Sequence, residues 1–172
     1  MDDEKPMPKT GRLTIERSFD APIERVWCAF TDPANLTSWF AKEANVRAEH
    51  GGPYELFWAP ENPERNSTIG CRLTYIKSKK WLAFTWRGPS LYDDPMNYGD
   101  PPPRPAHATV RFEGRGAERT VVHIEHVGWC SGQRWSEARA WHEQAWNNGL
   151  DNLAAMLDGN DLPHPWLAGS KQ

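Results

Sequence analysis

The sequence predicts an α+β domain in which a curved antiparallel sheet of seven strands wraps around a long C-terminal helix. Three observations predict it. Short runs alternating apolar and polar residues recur between Leu13 and Val127, separated by turn residues. A single helical pattern then runs from Gln133 to Asp158. Nothing alternates as strand, helix, strand, so a parallel sheet is excluded and one sheet has to bend to cover the helix. A chain of 172 residues suffices for one core, since a domain of this size buries roughly 70% of its unfolded surface. The expected organisation is a disordered tail over 1–10, one domain over 11–160 and a C-terminal tail over 161–172.

The first strand spans Arg12 to Phe19, with Leu13, Ile15 and Phe19 on its apolar side. Arg17 falls on that same side, as a cation in a polar pocket or as the mark of an exposed strand end; the exposed end is the preferred reading. Asp20-Ala21-Pro22 then opens a helix, with Asp20 as cap and the proline's fixed φ suited to a first turn. Ile23, Val26, Trp27 and Phe30 repeat at helical spacing up to Asp32-Pro33. A second short helix from about Ala34 carries Leu36, Trp39 and Phe40. Neither is long enough to stand alone, so both have to lie on the sheet.

Strands follow over Ala44–Glu49, Tyr54–Trp58, a run in which Ile69, Cys71, Leu73 and Tyr75 share a face, and Trp81–Arg87. Residues Gly88–Pro105 break the pattern with proline, glycine and aspartate. Loops this long are functional or disordered, and disorder is the expectation here, with the loop at one end of any cavity. The strands Ala106–Gly114 and Arg119–Val127 complete the meander, with Ala108, Val110, Phe112, Val122, Ile124 and His126 facing inward. On the last helix Trp135, Ala138, His142, Trp146, Gly149, Leu150, Leu153, Met156 and Leu157 share one face. Trp166 and Leu167 are candidates to fold back onto the domain.

Composition excludes several classes. A net charge of −3 with scattered Lys and Arg gives no basic field for nucleic acid or anionic membrane. No apolar run approaches the ~18–20 residues of a membrane span, and the polar, acidic N-terminus lacks the apolar segment of a signal peptide. The expected location is cytoplasmic. Cys28, Cys71 and Cys130 are an odd number and form no CxxC pair, which argues against a disulfide framework and a zinc site. No cofactor motif is present, and none is expected.

The order of elements and four local strings resemble the START-like, or SRPBCC, superfamily of polyketide-cyclase-like and birch-pollen-allergen-like proteins. Within it the chain resembles the family named for the activator of heat-shock-protein-90 ATPase. The strings are IERSFDAPIERVWCAFTDPANLTSWF over Ile15–Phe40, the GG-x-Y turn at Gly51–Tyr54, FTW at Phe84–Trp86 and HVGW at His126–Trp129. The resemblance covers Leu13 to Leu157 and implies the helix-grip fold, with a cavity between sheet and long helix. Two departures stand out: Gly88–Pro105 is an insertion, and the long helix has Trp146 before Gly149, in AWNNG, where the family often has Gly before Trp.

The resemblance implies binding of a lipid or an aromatic, polyketide-like molecule in that cavity, with a chaperone-interaction domain as the alternative. A cyclase- or hydrolase-like enzyme comes third, and the sequence has no nucleophile elbow, Ser-His-Asp order or phosphate loop. The candidate ligand-binding residues are Trp39, Phe40, Trp58, Phe84, Trp86, His126, Trp129, His142, Trp146 and Gly149. The aromatic rings either line an open pocket, the preferred reading, or fill the core. His126 and His142 either orient a ligand or are hydrogen-bonded core histidines, and the latter is preferred. His123 and His126 look like an H-x-x-H metal pair, but an odd separation on a strand puts them on opposite faces.

Overall fold

A computed structural model describes residues 11–97 and 106–165. The elements run β1 (Leu13–Phe19), α1 (Ile23–Thr31), α2 (Pro33–Leu36), β2 (Glu43–Val46), β3 (Tyr54–Phe57), β4 (Leu73–Lys77), β5 (Trp81–Trp86), β6 (Ala106–Gly114), β7 (Thr120–Val127) and α3 (Gln133–Leu157). This is the expected α+β helix-grip architecture. Among the described residues its seven strands divide into a sheet of five, in the order β1-β7-β6-β5-β4, and a sheet of two, β2-β3. All the pairings are antiparallel.

The division has a local cause. The segment between β3 and β4 contains Pro60 and Pro63, and its Gly70 takes φ +81°. No regular ladder can continue through such residues. Side chains and single bridges close the seam instead. Pro53 bridges Arg72 and Phe57 bridges Ser67. The Thr68 hydroxyl accepts from Leu56 N at 2.8 Å and donates to the Tyr54 carbonyl at 3.0 Å. The wall is therefore bent at the seam yet continuous around the core.

Register places the site. Phe84 on β5, Ala108 on β6, His126 on β7 and Leu13 on β1 lie side by side across four strands. Trp86 faces Ala106. The two alanines leave room for the rings of Trp86 and His126 next to them. Over this surface α3 lays the expected stripe: Ala138, His142, Trp146, Gly149, Leu150, Leu153 and Leu157 are all buried.

Four expectations need correction. Asp20 does not cap α1, whose N-cap is Pro22 with no side-chain bond; Asp32 is the capping residue instead, accepting from Ala34 N at 2.8 Å at the start of α2. Arg17 does not mark an exposed end: its guanidinium reaches Asp151 at 2.7 Å and Asn147 at 3.2 Å, tying β1 to α3. Tyr75 leaves the inner face because the β4–β5 register shifts between Leu73 and Tyr75, which turns Tyr75 out to 50% exposure and Ile76 in.

The fourth concerns the insertion. Its first half is ordered, with a 3-10 turn over Ser90–Tyr92 and a single π turn over Asp93–Asn97. Tyr92 and Met96 are buried in the main core. The Asn97 side chain bonds both the N–H and the carbonyl of Gly88, at 3.1 and 2.9 Å. A Cβ on Gly88 would lie 2.6 Å from Met96 Sδ, so a larger residue here would have to push the Met96 side chain aside. Residues 98–105, the 1–10 tail, Trp166 and Leu167 lie outside the described residues.

Candidate functional site

Between the middle of α3, the turn after α2 and the end of β5 lies a cavity of ≈ 250 Å³. Four rings form a closed circuit in its wall. Phe40 stacks on Trp146 with centroids 5.2 Å apart. Trp146 meets Trp86 at 5.5 Å, Trp86 meets Trp58 at 6.1 Å, and Trp58 returns edge-on to Phe40 at 5.5 Å. Trp39 stacks behind Phe40 at 4.6 Å. Rings in such offset and edge contacts are stiff, and they hold a void that flexible side chains would fill.

Indole N–H groups anchor two of these four rings and the Trp39 ring behind them. Trp39 Nε1 donates to the Ala29 carbonyl at 2.8 Å, Trp58 Nε1 to the Phe40 carbonyl at 2.5 Å, and Trp146 Nε1 to His126 Nδ1 at 3.1 Å. Behind the circuit Trp129 Nε1 donates to the His126 carbonyl at 2.9 Å. Trp86 Nε1 has no partner.

Of the ten sequence candidates, Trp39, Phe40, Trp58, Trp86, His142, Trp146 and Gly149 line the cavity. Phe84, His126 and Trp129 lie one layer behind. Phe84 stacks on Tyr54 at 4.2 Å. His126 and Trp129 are buried against each other and against His142, with centroids 4.8 to 5.5 Å apart. Gly149 brings α3 down on the segment after α2 rather than onto the sheet, since an added Cβ would sit 3.0 Å from the Phe40 ring.

Neither buried histidine is a fully satisfied core residue. His142 Nδ1 bonds the Ala138 carbonyl at 2.7 Å, and His126 Nδ1 takes the Trp146 bond. Nε2 of each has no partner. Burial pushes His142 down to about 4, against the smaller upward pull of the Ala138 carbonyl. Burial, and then the proximity of His142 and His107, holds His126 well below the usual histidine range. Both rings are neutral at pH 7. His123, three residues earlier, is on the outer face between Glu16 and Glu113, at 3.0 and 3.2 Å. Among the described residues no cluster of His, Cys, Asp and Glu could hold a metal ion.

Sequence reasoning missed Trp141, Asn152 and His164, which also line the cavity. Trp141 stands one position off the apolar stripe of α3. Asn152 gave a weak signal, as a polar residue beside Leu153 on the buried side. Its amide bonds the Trp39 carbonyl at 3.2 Å and both backbone groups of His164, at 2.7 and 2.9 Å. The C-terminal segment is thereby pinned across the cavity.

A bent antiparallel wall closed by a C-terminal helix over an aromatic-lined void defines the helix-grip class. The family described as "Activator of Hsp90 ATPase homolog 1-like protein" matches residues 20–158, and the chain belongs to it. Solved structures agree on the fold. Protein MLL2253 from Mesorhizobium loti is 19% identical, with 88% of this chain and 100% of that one covered and a TM-score of 0.69. An Hsp90 activator from Plasmodium falciparum is 20% identical, over 86% of this chain and 96% of that one, at a TM-score of 0.63. DynU16, from the dynemicin biosynthetic locus, is 19% identical, over 90% of this chain and 49% of that one, at a TM-score of 0.66. A search of curated proteins gave no match. No helix among the described residues is long and apolar enough to cross a membrane.

Proposed function

We propose that the protein binds a small apolar or aromatic molecule in the cavity between α3 and the curved wall. The observation that carries this reading is the closed circuit of Phe40, Trp146, Trp86 and Trp58 in the wall of an unfilled volume. A void lined by rigid rings forfeits dispersion contacts that a filled core would have, and a ligand restores them. The volume of ≈ 250 Å³ falls just below the ~300–1,000 Å³ of drug-sized sites. A ligand of one or two fused rings fits this size, and a sterol or long acyl chain does not.

Native mass spectrometry of the purified protein tests for a carried-over ligand. Tryptophan fluorescence then follows titration with small aromatics, flavonoids, fatty acids and sterols. The expected result is saturable quenching by the small aromatics, lost in Ala145→Trp, which plugs the cavity from α3. Absence of saturation across the whole panel, together with stimulation of a purified Hsp90 ATPase by the protein, would move the reading to the chaperone-interaction alternative.

A further inference from the structure

Three of the buried nitrogens without a partner belong to one cluster: Trp86 Nε1, His126 Nε2 and His142 Nε2. The ring centroids form a triangle with sides of 5.2, 5.5 and 6.0 Å. A buried polar atom is nearly always hydrogen-bonded, and three unpaired ones on neighbouring rings point to a missing partner.

The partners already present fix every proton in the cluster. A backbone carbonyl only accepts, so His142 Nδ1, bonded to Ala138 O at 2.7 Å, carries the hydrogen. In the neutral ring Nε2 is then a bare lone pair. An indole N–H only donates, so His126 Nδ1, bonded to Trp146 Nε1 at 3.1 Å, is bare and the hydrogen sits on Nε2. Trp86 Nε1 is an N–H. The cluster therefore offers two donors and one acceptor, with no net charge.

Resting on the small-molecule reading above, we infer that the ligand carries a hydroxyl group, alcohol or phenol, which fills this cluster. Its oxygen accepts from Trp86 Nε1–H and His126 Nε2–H, and its hydrogen is donated to His142 Nε2. Other groups match worse. A carboxylate has no hydrogen for His142 and would shed its hydration with no cation to meet it. An ammonium has no lone pair for the two donors. A ketone satisfies the donors and leaves His142 unpaired. Trp86 and His142 belong both to this cluster and to the cavity wall. The three nitrogens are shut off from solvent, so a ligand hydroxyl reaches them only if a ring yields, and Trp86 is the one to yield. Trp39, Trp58 and Trp146 are each tethered through the indole N–H, and Trp86 is not.

Three probes of nearly one shape test this by calorimetry at pH 7.5 on the full chain: 2-naphthol, 2-methylnaphthalene and 2-naphthoate. In wild type 2-naphthol should bind about tenfold tighter than 2-methylnaphthalene, the worth of roughly one satisfied buried hydrogen bond. It should also bind tighter than 2-naphthoate. In His142→Phe the preference for the hydroxyl should vanish while 2-methylnaphthalene still binds. A second arm needs no variant: in ¹⁵N spectra of wild type the His142 Nε2 resonance should move with 2-naphthol and not with 2-methylnaphthalene. Equal or tighter binding of 2-methylnaphthalene, with that resonance unmoved, overturns the inference: the cluster then holds only a water molecule, and the small-molecule reading survives. A preference that persists in His142→Phe overturns it as well. If none of the three probes binds, the inference and the small-molecule reading fall together.

Discussion

His142 and Gly149 stand two turns apart on the buried face of α3, and each makes a prediction at its own scale. Both buried histidines are held neutral in the fold, whereas in the unfolded chain they titrate near ~6.5. Between the two values the unfolded state binds more protons, so stability falls as pH drops from ~6.5 toward 4, the lower end set by His142 at about 4. The slope per histidine is about 1 kcal/mol per pH unit. The lowered carboxylates (Asp151, held down first by its Arg17 bond, with Glu24 and Glu113) add to the loss from the usual carboxylate range downward, so the histidines alone set the slope in the upper part of the window, above pH ~5. Urea unfolding at several pH values checks it, and His142→Phe should flatten the slope. At Gly149 an alanine would gain about 1 kcal/mol on an exposed helix. Here its Cβ meets the Phe40 ring at 3.0 Å, so Gly149→Ala should show no such gain by chemical denaturation. Of the seven candidates that line the cavity, Trp86, His142, Trp146 and Gly149 could be placed by strand and helical periodicity, whereas Trp39 and Phe40 stand in the turn after α2 and not on the helical stripe expected to carry them. The tautomers of His126 and His142 could not, because Trp146 and Ala138 set them through bonds that exist only once strand and helix meet.

The strap over Ser90–Asn97 is the element whose character periodicity hides. Its residues alternate neither at two nor at 3.6, and its π turn contains a proline, so the local signal is that of a loop. What holds it comes from far along the chain. Arg134, on the first turn of α3, donates to the Leu91 carbonyl at 2.7 Å and lies 5.1 Å over the Tyr92 ring. Tyr92 in turn meets Trp141 at 6.1 Å and His142 at 6.5 Å. Tyr92→Ala should therefore cost about 3 kcal/mol, the loss of a buried aromatic. Arg134→Ala should cost about 1 kcal/mol, as a solvent-facing cation over a ring. Equilibrium unfolding of both variants measures the difference. Equal, negligible losses would mean that the strap is no more than a loop. By contrast β5, β6, β7 and α3 were legible to within a residue or two, since each buries a regular stripe that the fold cannot shift without exposing it.

At the scale of the molecule, the fold class follows from one constraint readable in the sequence: a single long amphipathic helix and a meander of short strands have only each other to cover. The split of the wall into five strands and two is not readable that way, because the Thr68 hydroxyl and two single bridges carry the seam where no ladder runs. The same closure sets the size of what fits inside. The circuit stands in the wall of the ≈ 250 Å³ cavity, and Trp58 is its most accessible member, only partly buried beside the core. Removing that ring should widen the void at less cost than removing Trp146, which is buried and also holds His126 in place. A ligand at a hundred times its Kd adds about 2.7 kcal/mol to stability, which in a chain of this length raises Tm by roughly 5–10 °C. Wild type should show that rise with a two-ring aromatic and none with three-ring phenanthrene. Trp58→Ala should show it with phenanthrene, while losing part of its response to the two-ring compound. A wild type that accepts phenanthrene as readily as naphthalene would mean that the ring circuit gives way, and that the selection by size argued from its closure does not hold.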